Sequence, residues 1–172
     1  MAKRRMDPVN ALKLAIERER GANKFYRRAA EVTGDPQGQG LFTWLARQEL
    51  RHLAKLRKQL KSVLDTGQWV RWRTVTAPIE RGELPSVSEA GGDVSVSAGE
   101  REALRQGIGA EREAVAFYWA AGESTPDPHG KAMFGALAAE EEGHLALLEE
   151  ELEWITKSRK YFTLHRFRPG GY

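Results

Sequence analysis

The chain has 172 residues, 41% of them apolar, a net charge of +3 and no cysteine. That length suits one domain with a sizeable core, and no apolar run approaches the ~18 residues of a membrane span. The missing cysteines exclude disulfides, thiolate metal sites and a Cys-x-x-Cys module within these residues; residues 1–6 are basic but no apolar stretch follows, so no secretory signal is readable and a cytoplasmic protein off the membrane is expected.

Asp7-Pro8 reads as N-cap and first residue of a helix over 8–33, with a stripe of Leu12, Ala15, Ile16, Ala22, Tyr26 and Ala29 interrupted by Glu19. Asp35-Pro36 repeats that signal for a helix over 36–64, where Phe42, Leu45, Leu53, Leu56 and Leu60 share the stripe with Glu49 and His52. The crossover, 65–97, holds strand-forming types from Trp69 to Thr76 and then breaks into Gly, Pro and Ser. A lone strand has no evident partner, so an extended segment is expected, packing its tryptophans on the helices or on another subunit.

Ser97 and Glu100 form a capping box for a helix over 98–124, with Leu104, Ile108, Glu111, Ala114 and Tyr118 on one face. Asp127-Pro128 opens the fourth helix, 128–157, whose stripe is Phe134, Leu137, Glu141, His144, Leu148 and Leu152. The tail, 158–172, mixes Arg159, Lys160, Arg166 and Arg168 with aromatic residues and reads either as a frayed end or as a docking peptide. Short loops make each hairpin antiparallel, while the long crossover can span the length of a bundle, so the expected fold is all-α: a single domain of residues 1–172 built as an antiparallel four-helix bundle from two hairpins.

The hairpins are copies. Residues 10–60 laid over 102–152 give 23 identities in 51 positions, and Glu19, Tyr26, Glu49 and His52 recur as Glu111, Tyr118, Glu141 and His144, each shifted by 92. Surface charge does not follow the copy. Residues 1–65 carry 15 Lys/Arg against 7 Asp/Glu, whereas 98–157 carry 5 against 13, so a +8 half can face a −8 half, which argues against a nucleic-acid surface.

Positions i and i+3 of a helix share a face, so Glu49 with His52 and Glu141 with His144 each supply a ligand pair. Glu19 and Glu111 add one carboxylate from each of the other helices. Four buried carboxylates would repel and cost several kcal/mol each to desolvate, and two divalent ions cancel them. Oxygen and imidazole donors suit Fe, Mn or Zn. The glutamates off the stripes, Glu140 and Glu151 among them, read as solvated, and so do His129 and His165. Tyr26 and Tyr118 lie two turns beyond their glutamates, within reach of a ligand carboxylate or simply in the core.

The paired Glu-x(6)-Tyr and Glu-x-x-His motifs resemble the rubrerythrin branch of the ferritin-like superfamily over about 110 residues. The resemblance implies a di-iron carboxylate protein with six metal ligands, Glu19, Glu49, His52, Glu111, Glu141 and His144, Glu49 and Glu141 bridging. It implies reduction of peroxide or dioxygen, or oxidation of ferrous iron, in a homodimer or larger assembly. Two departures stand out: Ala114 occupies the position of a further rubrerythrin carboxylate, and without cysteine there is no rubredoxin module, so electrons must come from a separate donor. Three functions follow as expectations: an oxidoreductase acting on peroxide or dioxygen, a ferroxidase or iron-handling protein, and a non-redox metal-binding module.

Overall fold

The computed structural model describes residues 7–71 and 97–158. Its four helices are α1 (Pro8–Val32), α2 (Pro36–Thr66), α3 (Ala98–Ser124) and α4 (Pro128–Ser158). The start signals act as expected. Asp7 accepts from Asn10 N, Asp35 from Gln37 N and Gly38 N, and Asp127 from His129 N and Gly130 N, each supplying an acceptor for amides that no helical carbonyl can reach. The helix α2 ends two residues later than expected because Gly67 takes a left-handed φ of 71° and returns its N–H to Val63 O.

The helices form an all-α, ferritin-like four-helix bundle, with α1 packed on α2, α3 on α4, and α1 on α3. Side chains of α2 and α4 close the ring, for example Trp44 edge-on to His144. The helices α1 and α3 run against each other: the later Tyr26 of α1 meets the earlier Glu111 of α3, and the earlier Glu19 of α1 meets the later Tyr118 of α3. Among the described residues, no helix is long and apolar enough to cross a membrane.

Two apolar clusters fill the bundle. One gathers Tyr26, Phe42, Leu45, Leu104, Ile108 and Leu148; the other gathers Tyr118, Phe134, Leu137, Leu12, Ile16 and Leu56, the same residues shifted by 92. Each fully buried Leu or Phe contributes ~1.5–3 kcal/mol to holding the helices together. Trp69 packs on the second cluster, its ring 5.9 Å from Phe134 and directly over Gly130, while Gln59 holds Val70 by both its N–H and its carbonyl. The rest of the crossover, from residue 72 to 96, and the tail beyond 158 lie outside the described residues.

Candidate metal centre

Glu19, Glu49, His52, Glu111, Glu141 and His144 are all buried and meet midway along the bundle. They form two groups, Glu19–Glu49–His52–Glu141 and Glu49–Glu111–Glu141–His144, each with one donor atom per residue within 4.8 Å of the others. Glu49 and Glu141 belong to both. The two imidazole rings lie roughly parallel with centroids 5.7 Å apart.

Several donors have no hydrogen-bond partner although water cannot reach them: Glu19 Oε2, Glu49 Oε1, His52 Nδ1 and Glu141 Oε1. His52 Nδ1 and Glu141 Oε1 are 2.9 Å apart yet lack the alignment of a hydrogen bond. Buried polar atoms are ordinarily paired, so a convergent set of orphans fits a cation. Four carboxylates and two imidazoles are also the donor chemistry of a divalent iron, manganese or zinc ion.

Protons otherwise divide the charge. Burial, then the Glu141 charge, pushes Glu49 and Glu111 well above the usual carboxylate range. For Glu141 burial acts upward too, but His52 and His144 outweigh it and hold the carboxyl far below that range. Burial lowers His52, yet Glu141 and Glu140 overcome it and raise the imidazole.

Each tyrosine reaches across to the other hairpin. Tyr26 donates to Glu111 Oε1 and Tyr118 to Glu19 Oε1. Burial and the adjacent carboxylates raise both phenols, so the hydroxyls stay protonated donors. A cavity of about 280 Å³ between α1 and α3 leads to the carboxylates, lined by Arg18, Gly21, Ala22, Phe25, Ala110 and Ala114 with Glu17 and Glu113 at its acidic edge. Arg18 sits over the Phe117 ring and 3.4 Å from Glu113.

Three residues differ from their sequence reading or were absent from it. Glu140, expected to be solvated, is half-buried and accepts from His52 Nε2 at 2.8 Å, with Lys55 Nζ at 3.4 Å. It precedes Glu141 on the adjoining flank of α4, and the facing α2 covers that flank. Glu151, also expected in solvent, is buried. Trp44, off the expected stripe, is buried beside His144 because the facing helix widens the covered sector. His129 is exposed, as expected.

A profile described as rubrerythrin matches residues 10–152. Among solved structures, a hypothetical protein from Pyrococcus furiosus is 26% identical, with a TM-score of 0.68 over 91% of this chain and 94% of that one. No curated protein matches.

Proposed function

The chain belongs to the rubrerythrin family, and on that footing we propose a di-iron oxidoreductase that reduces peroxide or dioxygen with electrons from a separate donor. The observation that carries the reading is the pair of buried ligand groups sharing Glu49 and Glu141, with orphaned donors turned inward. Glu19 and His52 would complete the set for one ion, Glu111 and His144 for the other. Bound iron would supply the redox relay between that donor and the oxidant.

The chain's own residues set the conditions. Tyr118 and Tyr26 pin one oxygen each of Glu19 and Glu111, and the second oxygen of Glu19 is left unpaired for an ion. The apolar clusters on either side exclude water along the bundle axis. The α1–α3 cavity gives a small oxidant a route between Ala22, Phe25 and Ala114, and the absence of a carboxylate at 114 keeps that route open.

Glu17 and Glu113 on the cavity edge favour a second reading, in which ferrous iron enters as substrate and is oxidised without peroxidase turnover. Anaerobic Fe²⁺ titration tests the leading reading. It expects saturation near two irons per chain and an optical change when peroxide is added; saturation far below two with no optical change overturns it. A change with dioxygen but none with peroxide favours the second reading.

A further inference from the structure

The pseudo-twofold symmetry fails immediately behind the two histidines. His52 Nε2 is 2.8 Å from Glu140 Oε2, and Lys55 Nζ lies 3.4 Å from both oxygens of the same carboxylate. Lys55 Nζ, a donor only, stands beside both oxygens of Glu140 and leaves that carboxylate an acceptor, so the N–H belongs to Nε2. That arrangement commits Nδ1 to face Glu19, Glu49 and Glu141. A shift of 92 places Gln48 where Glu140 would be, Leu147 where Lys55 would be, and Trp44 where Ala136 stands.

His144 therefore has a different surrounding. Its Nδ1 is 2.8 Å from Glu141 Oε2, its ring meets the Trp44 ring at 83°, and among the described residues no partner is found for its Nε2. Gln48 carries no charge, and its Oε1 accepts from Arg51 instead. A carboxylate behind a ligating imidazole fixes its tautomer and raises its basicity; a neutral aromatic edge does neither.

We propose that the two metal positions are inequivalent, the one at His52 binding its divalent ion first and more tightly because Glu140 positions and polarises His52. This rests on the metal-centre reading above. Glu140 is a positioning residue: it acts through His52 and touches no ion. The affinity difference expected from such a partner is ~10–100-fold.

The test uses Zn²⁺, which brings no redox change, added to the metal-free full chain while the imidazole nitrogens of both histidines are followed by NMR. At one equivalent the expected result is a shift of His52 Nδ1 with His144 largely unmoved, and a second calorimetric step for the second ion. Glu140→Gln, nearly isosteric, should weaken the first step by ~10–100-fold and let both histidines respond together. Gln48→Glu should strengthen the response of His144. Equal shifts of both histidines in the unaltered chain, or His144 shifting first, overturn the proposal while leaving a two-metal centre in place. So does an unchanged order in Glu140→Gln. Failure of Zn²⁺, Mn²⁺ and Fe²⁺ alike to bind overturns the metal-centre reading and this proposal with it.

Discussion

Tyr118 shows how much one hydroxyl can organise. It donates to Glu19 across the gap between the hairpins and is fully buried, so Tyr118→Phe keeps the packing and removes only the donor. The expected cost is ~1–2 kcal/mol in urea unfolding, because Glu19 loses a buried partner. Zn²⁺ affinity should also fall by ~10-fold or more in calorimetry; an unchanged affinity would reduce the tyrosine to a packing role. Gly21 lines the cavity, and a Cβ there meets nothing within 4 Å. Gly21→Phe should therefore cover the opening and slow the reaction of iron-loaded protein with peroxide by ~10-fold, the size of a 1.4 kcal/mol barrier, with iron stoichiometry intact. An undiminished rate would place the oxidant's route elsewhere. The six convergent residues were legible in the sequence because they both interrupt apolar stripes and recur at a shift of 92, whereas Glu31 and Glu123 recur too but lie off the stripes. Glu140 was not: a helix stripe marks what faces the core centre, and Glu140 becomes half-buried only through the flank of α2 that lies beside it.

Helix starts are the most readable elements here, since Asp-Pro and the Ser97–Glu100 box are local chemistry. What local chemistry could not reveal is that Glu100 serves two helices. Besides accepting from Ser97 N at 2.5 Å, it accepts from Gly34 N at 2.9 Å and Asp35 N at 3.3 Å, tying the start of α3 to the α1–α2 turn. The repeat partner of Gly34 is Pro126, which has no N–H to offer. Glu100→Ala removes the cap and orphans those amides, so a loss of ~2–3 kcal/mol is expected in denaturant unfolding. A loss under ~0.5 kcal/mol would show that water replaces it, as at an ordinary surface position. Burial opposes its ionisation, yet the Ser97 and turn amides win and lower its pKa, so this contribution is lost as pH falls through that lowered value. Trp69 is the other long-range case: its type suggested packing, but its seat over Gly130 exists because a Cβ there would lie 2.8 Å from the indole.

Taken whole, the molecule places four carboxylates between two apolar clusters, and its response to pH follows. Glu49, Glu111 and His52 are all raised in the folded, metal-free chain, so the stability they confer is complete below their ordinary values and drains away as pH rises through the raised ones. Glu141 has the opposite sign, being lowered, and loses its contribution only in strong acid. The metal-free protein is expected to melt at a lower temperature at about pH 8 than at about pH 5.5, by ~2–4 °C for each kcal/mol lost. Metal competes with these protons, so affinity should rise over the same interval. A metal-free melting temperature that climbs with pH would show the buried protons assigned wrongly. The crossing of ligands between hairpins has one more consequence. Neither hairpin owns a full set: the ion at His52 needs Glu141, and the ion at His144 needs Glu49. Metal would thus be a clasp between two halves that the apolar clusters already draw together, and separately expressed hairpins should associate more tightly when it is supplied, as a pin tightens the two blades of a hinge.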